Sequence, residues 1–110
     1  MKLLTKVIER KLRKNAESNE ENLKPVVKFF NPCGAYTAIF TELADDGDTL
    51  FGLSDLGMGF PELGYSSLSG IASVKVPPFG LRIERDMYFK ADKSLEEYAN
   101  EARNNGRLVA

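Results

Sequence analysis

The sequence predicts a small α+β fold in which an antiparallel sheet of about four strands packs against N- and C-terminal helices. Two observations support this. Apolar, β-branched and aromatic segments joined by short Gly- and Pro-containing turns occupy the middle of the chain, whereas helical periodicity is confined to its ends. The order α-β-β-β-(short α)-β-α also lacks the regular alternation of a parallel, doubly wound sheet. With 110 residues, the chain is expected to form a single domain over 1–110.

The first helix is predicted from "LLTKVIERKLRKNA", where Leu4, Val7, Ile8 and Leu12 recur at helical spacing and Thr5 can cap the N-terminus. Residues 1–14 contain six basic residues and one acidic residue, a local charge of +5 within a chain of net charge −1. The predicted basic stripe of this helix consists of Lys2, Lys6, Arg10, Arg13 and Lys14. Such a stripe is typical of a solvated helix face, and it is also compatible with nucleic-acid binding.

Three strands should follow as a β-meander: "PVVKFF" (25–30), "AYTAIFTEL" (35–43) and "TLFGL" (49–53). The turns between them, "NPCG" and "DDGD", are rich in Pro, Gly and Asp. The next segment, "SDLGMGFP" (54–61), has two glycines, a proline and no period, which predicts an exposed loop. Exposed loops often carry binding residues.

The remaining chain predicts a short helical turn near 67–72, a strand "LRIERDMYF" (81–89) and a last helix. "ELGYSSLSGIASV" should begin extended before that turn. Ser94 and Glu97 have the spacing of a capping box at the start of the last helix, and Gly106 can end it. The predicted buried face of that helix contains Leu95, Tyr98, Ala99 and Ala102.

Composition restricts the possible chemistry. The chain contains no histidine, which excludes Ser-His-Asp and Cys-His catalysis and His-containing zinc sites. The lone Cys33 cannot form an internal disulfide, in agreement with a reducing, cytoplasmic location. No apolar run of about 18 residues or secretory signal pattern occurs, so no membrane partner is expected. No cofactor is predicted.

The strand "GLRIERDMYF" contains a Glu-Arg-Asp triplet. Alternation along a strand places Arg85 on the side of Ile83, Met87 and Phe89, whereas Glu84 and Asp86 point the other way. A guanidinium on an apolar face needs a partner, since an unpaired buried charge is costly. Glu62 is the first expected partner of Arg85, and Glu42 is the second.

Glu84 and Asp86 also permit a metal hypothesis. Their α-carbons should lie about 7 Å apart on one strand. Together with Glu62, or with Asp55 from the loop, they could hold Mg²⁺ or Mn²⁺ as in a carboxylate-dependent hydrolase. Two acidic residues on one strand are equally typical of a solvated edge, and this second interpretation is favoured.

Aromatic residues on the predicted strands could stack single-stranded bases beside Lys24, Lys28 and Lys90. They are more often core residues, and the sequence lacks the signature of an RNA-recognition domain. The aromatic set is Phe29, Phe30, Tyr36, Phe40, Phe51, Tyr88 and Phe89.

Five segments together resemble a family of small bacterial domains of unknown function, encoded chiefly on plasmids, integrative elements and phages. They are "MKLLTKVIERKL", "VVKFFNPCGAYTAIF", "LFGL", "ELGYSSL" and "FGLRIERDMYF". The resemblance implies a cytoplasmic accessory protein of mobile DNA and brings no established activity. The residues that match the family signature are Glu62, Leu63, Gly64, Tyr65, Glu84, Arg85, Asp86 and Tyr88. Tyr36, Ala38 and Ser66 depart from the family pattern, which weakens a base-stacking role for the aromatic residues.

The favoured function is therefore a non-enzymatic domain that binds a protein partner through the 54–66 loop and the surface near Glu84 and Asp86. The alternatives are a nucleic-acid-binding module that uses the basic stripe and a metal-dependent carboxylate hydrolase. The candidate binding residues are Glu62, Tyr65, Glu84, Arg85, Asp86 and Tyr88.

Overall fold

A five-stranded antiparallel sheet lies at the centre of the fold, in a computed structural model that describes residues 2–110. Its strand order is β4-β3-β2-β1-β5. The predicted α+β class, with an antiparallel sheet between terminal helices, is confirmed. Along the chain the elements are α1 (Lys6–Glu17), β1 (Val27–Phe30), β2 (Thr37–Leu43), β3 (Thr49–Asp55), β4 (Glu62–Ser67), α2 (Leu68–Ser73), β5 (Glu84–Arg85) and α3 (Leu95–Asn105).

The meander has one strand more than the sequence predicts. β4 pairs with β3 from Thr49↔Ser67 to Ser54↔Glu62, and the chain then enters α2. The extended start and the helical turn of this segment are thus confirmed, but its extended part is a full strand at the edge of the sheet. The sequence signal for this strand is weak, because "ELGYSS" has no run of β-branched residues.

The predicted last strand is much shorter than expected. Only Glu84–Arg85 pair with β1, opposite Phe30 and Phe29. The strand ends because Asp86 forms a turn, in which its side chain accepts a hydrogen bond from Tyr88 N at 2.9 Å. The main-chain oxygen of Asp86 accepts a second bond from Phe89 N at 3.4 Å.

Both faces of the sheet are covered. α1 covers a cluster that comprises Leu12, Val27, Phe29, Ala38, Phe40, Leu43, Leu50, Val76 and Ile83. α3 covers the second cluster, which comprises Ile39, Leu53, Leu95, Tyr98, Ala99, Ala102 and Leu108. The predicted inner face of the last helix is confirmed by this second cluster. Of the aromatic residues on the predicted strands, Phe29 and Phe40 are fully buried, which agrees with their interpretation as core residues.

The helix ends follow the predicted capping residues. Thr5 caps α1 by accepting a hydrogen bond from Ile8 N at 3.1 Å. Ser94 and Glu97 form the capping box of α3, and Gly106 ends that helix in the left-handed conformation.

The predicted apolar face of α1 is wrong at one position. Val7 is exposed, whereas Leu12 is buried and Ile8 packs on the core. Ile8 and Leu12 lie about 40° apart around the helix and Val7 lies about 100° away from Ile8, because each residue turns a helix by about 100°. Asn15 completes the inner face and donates a hydrogen bond to the Thr41 carbonyl at 2.9 Å.

Candidate functional site

A groove with a volume of about 720 Å³ crosses the β4 end of the sheet, on the face that α1 and α2 share. Its floor consists of small side chains, because Ser54, Gly64 and Ser66 alternate along β3 and β4 on this face. Ile71 and Val74 form one wall, and the loop over residues 56–61 forms another. The volume lies within the range typical of ligand sites.

The loop over 56–61 exposes large apolar side chains at every second position. Leu56, Met58 and Phe60 are 64%, 69% and 78% exposed, and all three line the groove. Gly57 and Gly59 have positive φ angles of 80° and 85°, a conformation that glycine adopts without strain. The predicted exposed loop is confirmed, although it is shorter than expected because β3 extends to Asp55.

Asp55 fixes the start of this loop. Its carboxylate accepts hydrogen bonds from Gly57 N and from Leu108 N, each at 2.8 Å. The side chain is therefore buried between the loop and the segment that follows α3. This engagement accounts for Asp55 structurally and argues against the alternative in which it is a metal ligand.

The α2 wall is fixed through Asp48. The Asp48 carboxylate accepts hydrogen bonds from Ser69 N and from the Ser67 hydroxyl, both at 2.8 Å. These bonds, led by the Ser69 main-chain bond, lower the pKa of Asp48. α2 contains no fully buried residue, and these polar contacts add to the packing of Leu68 and Ile71 against the first cluster.

β4 lies at the edge of the sheet. Tyr65 is 77% exposed and packs its ring against Phe51, with the ring centroids 5.1 Å apart. All six residues of β4, Glu62–Ser67, line the groove. The groove therefore reaches the free edge of the strand.

The groove is apolar apart from hydroxyl and amide groups and one charge. Among the described residues that line it, Glu62 is the only charged side chain. Tyr36 also lines it, and burial raises the pKa of Tyr36 to about 12, so this phenol is neutral at physiological pH.

The structure separates the two halves of the predicted binding surface. Glu62 and Tyr65 lie on β4 at one edge, and Glu84 and Arg85 lie on β5 at the other. Four strand spacings separate the two edges, or about 19 Å. This separation argues against the alternative hypothesis in which Glu62, Glu84 and Asp86 hold a metal together. Residues 2–110 contain no group of three or more acidic or cysteine side chains placed to hold a metal ion.

Arg85 has a different partner from the two that the sequence suggested. Its guanidinium donates hydrogen bonds to the carbonyls of Lys2 and Leu3, at 2.8 and 3.1 Å. The predicted pairing with Glu62 or Glu42 is thus wrong, because both carboxylates lie on other strands. Arg85 instead ties the segment before α1 to the sheet.

The other predicted binding residues of the 84–88 segment differ in their contacts with the rest of the fold. Asp86 forms an ion pair with Lys28 at 3.6 Å in addition to its turn bond. Glu84 is half-buried, whereas Tyr88 is 92% exposed. Tyr88 thus remains free for a contact, although it lies far from the groove.

Most residues of the basic stripe are exposed, on α1 or just before it. Lys2, Lys6, Arg10 and Lys14 are exposed. Arg13 is partly buried and forms an ion pair with Glu9 at 3.3 Å. Phe29 and Phe40, by contrast, are fully buried with ring centroids 5.6 Å apart, so they are unavailable for base stacking.

The sequence pointed to the 54–66 segment, which supplies much of the groove lining, but it gave no indication of the α2 wall. Leu56, Met58 and Phe60 carried a detectable signal, since apolar residues at alternate positions are unusual in an exposed loop. Ile71 and Val74 carried none, because their orientation depends on how α2 packs beside β4.

Comparison with known proteins identifies one family. The family model described as "Protein of unknown function (DUF2958)" matches residues 3–109. No curated protein and no solved structure matches the chain. Within residues 2–110, no helix has the length and apolar character needed to cross a membrane.

Proposed function

The chain belongs to the DUF2958 family of proteins of unknown function, and we propose that it is a non-enzymatic domain that binds a protein partner in the groove beside β4. The exposed apolar side chains of the loop, Leu56, Met58 and Phe60, carry this proposal. Clustered apolar surface beside a cavity is a common feature of protein-binding sites.

The chemistry of the groove favours binding over catalysis. Its described lining combines one carboxylate, Glu62, with hydroxyl, amide and apolar groups. General acid–base catalysis usually needs a second titrating group within reach of the first. The phenol of Tyr36 is a poor general base near pH 7, because burial raises its pKa to about 12.

The proposed setting is the bacterial cytoplasm, where the chain would act as an accessory protein of mobile DNA. The motifs "ELGYSSL" and "FGLRIERDMYF" support this setting through their resemblance to domains encoded on plasmids, integrative elements and phages. The partner would then be a host protein or a protein of a competing element.

A photo-crosslinking amino acid at position 60 provides the first test. Benzoylphenylalanine in place of Phe60 should capture the partner in a cell extract, and mass spectrometry should identify it. The decisive step uses the purified partner. Phe60→Ser should weaken its binding by about tenfold or more, since a buried aromatic anchor commonly contributes over 1.4 kcal/mol.

Phe79→Ser is the matched control, because Phe79 is 80% exposed and lies outside the groove lining. It should leave the affinity unchanged. Tyr88→Ala tests the opposite edge of the sheet. A loss of binding in Tyr88→Ala or Phe79→Ser, with Phe60→Ser unaffected, would place the partner elsewhere and refute the groove.

A second candidate function is nucleic-acid binding by α1, which is favoured by the exposed cations Lys6, Arg10 and Lys14. Affinity for duplex DNA would then fall steeply between about 50 and 200 mM salt. It would also be lost in the triple alanine variant of these three residues. Salt-independent binding, or binding that the triple variant retains, would exclude this candidate.

A further inference from the structure

We propose that the partner supplies an extended segment that pairs with the free edge of β4 and adds a strand to the sheet. This inference rests on the proposed function and names the mode of binding. It is carried by the main-chain geometry of β4, by Gly64 and by the chemistry of the groove.

The free main-chain groups of β4 follow from its pairing with β3. Leu68 N donates to Asp48 O at 2.8 Å, and the register places Thr49 opposite Ser67. Residue pairs in an antiparallel ladder alternate between hydrogen-bonded and non-hydrogen-bonded. Gly64 and Ser66 therefore bond to β3, whereas Leu63 and Tyr65 direct their N–H and C=O groups away from the sheet.

The β4 edge also lacks the usual protection against strand pairing. It is six residues long, contains neither Pro nor Lys, and has its only charge, Glu62, at its first position. Short edge strands and charged residues normally prevent such pairing. β5, at the opposite edge, shows both, since it has two residues and lies within the Glu-Arg-Asp triplet.

Neither the packing nor the backbone conformation of the free chain requires a glycine at position 64. A β-carbon at Gly64 would meet no atom within 4 Å, and its φ is not in the left-handed region. Gly52, which lies directly opposite on β3, would place a β-carbon against the main chain of Ile39 and Phe40. Glycine in a strand often marks a close approach of another backbone or a ligand, which is the explanation that fits Gly64.

The chemistry of the groove favours a segment of another protein over a second copy of this chain. A second β4 would present Glu62, Gly64 and Ser66 towards the groove, because side chains of paired residues share a face. Those small or acidic groups would leave an apolar volume of about 720 Å³ unfilled.

The complementary segment has apolar side chains opposite Gly64 and Ser66 and a basic side chain opposite Glu62. The apolar groups would reach the groove between Ile71 and the 56–61 loop. The intervening residues would contact Leu63 and Tyr65, where β-branched or aromatic side chains pair well. The partner is thus an extended segment with apolar residues at alternate positions and a basic residue two positions beyond them.

Selection from a phage-displayed library of random peptides supplies the probe. The full chain is the target, and a synthetic copy of the strongest selected peptide is the ligand for fluorescence anisotropy. Selected sequences should show alternating apolar residues with one basic residue. Gly64→Val should weaken binding by about tenfold or more, because its side chain would fill the floor of the groove.

The pair Tyr65→Pro and Tyr65→Ala separates main-chain from side-chain binding. Both remove the Tyr side chain, but only Pro removes the outward N–H, and Pro is tolerated where an edge N–H faces solvent. Tyr65→Pro should bind the peptide about tenfold more weakly than Tyr65→Ala. Circular dichroism checks folding. Should Tyr65→Pro unfold, N-methylation of alternate peptide amides gives the same comparison on the native chain.

Equal affinities of these two variants, or of the native and N-methylated peptides, would overturn strand addition. If Phe60→Ser still abolished binding, the proposed function would stand while this mode failed. A library without groove-dependent binders would overturn the mode. So would light scattering that showed a dimer converted to a monomer by Tyr65→Pro, since a second copy would then occupy the edge.

Discussion

At the scale of single residues, the Glu-Arg-Asp triplet shows three different uses of charge on one short segment. Arg85 binds main-chain carbonyls of the segment before α1, and Asp86 forms a turn and pairs with Lys28. Glu84 has no side-chain hydrogen bond or ion pair with the rest of residues 2–110. Strand alternation indicated that Arg85 needs partners, but its grouping of Ile83 with Met87 and Phe89 is wrong: the strand ends at Arg85, Met87 is exposed, and Phe89 packs on the second cluster. Alternation also could not identify carbonyls that lie about 80 positions away.

Arg85→Ala should lower the free energy of unfolding by about 1–3 kcal/mol, because it removes two charge-assisted hydrogen bonds, an exposed one to the Lys2 carbonyl and a partly buried one to the Leu3 carbonyl. Glu84→Ala is the control and should change stability by about 0.5 kcal/mol or less. Urea denaturation measures both. Equal stability of the two variants would show that the guanidinium contacts contribute nothing.

Asp46 should make the free energy of unfolding depend on pH in the acid range. Its carboxylate accepts hydrogen bonds from the Thr49 hydroxyl, Thr49 N and Asp48 N, which lower the pKa of Asp46 from 3.8 to about 2. Because the pKa is depressed in the folded state, this contribution is present above about pH 4 and is lost as pH falls through about 2.

Wild type should therefore lose more stability than Asp46→Asn between about pH 5 and pH 2 in denaturation experiments. Asp45→Asn is the matched control, since Asp45 is an exposed neighbour without a side-chain hydrogen bond in the described structure. The stability of Asp45→Asn should show the same pH dependence as that of wild type. If Asp46→Asn also followed wild type, these hydrogen bonds would not persist in solution.

At the scale of elements, an irregularity in β2 links the sheet to α1. Thr41 is an extra residue in the register with β3, which passes from Phe40↔Gly52 to Glu42↔Phe51. The main chain at such a bulge is left without a ladder partner. Asn15 donates to the buried Thr41 carbonyl at 2.9 Å and satisfies it.

Asn15→Ala should cost about 1–3 kcal/mol of stability, because it leaves a buried carbonyl without a hydrogen-bond donor. Lys14→Ala removes an exposed neighbour on the same helix and should cost about 0.5 kcal/mol or less. Thermal and urea unfolding both report the difference. An Asn15→Ala variant as stable as Lys14→Ala would mean that water replaces the amide.

Helix and strand boundaries could be predicted from the sequence where neighbouring residues determine them. Caps at Thr5 and Ser94 were readable, because capping residues act within one helical turn. The full extent of β4 was not, since it depends on pairing with β3. The early end of β5 has a local cause, the Asp86 turn, but the apolar residues after Asp86 resemble a continuing strand. The bulge at Thr41 likewise left no local signal.

At the scale of the whole molecule, the two edges of the sheet differ in character. β5 is short and lies among charged residues, whereas β4 is long, carries one charge and adjoins an apolar groove. The α+β class followed from the sequence of segments alone. The separation of Glu62 from Glu84 did not, because local pattern cannot determine which edge a final strand joins.

Residue-resolved amide hydrogen exchange on the free chain and on its complex tests the central claim most directly. In the free chain, Gly64 and Ser66 should be protected, and Leu63 and Tyr65 should exchange rapidly. Binding of the selected peptide or the purified partner should protect Leu63 and Tyr65 and leave Tyr88 unchanged. Protection that appeared at Tyr88 or along α1, with Leu63 and Tyr65 still exchanging rapidly, would contradict partner binding at the β4 groove.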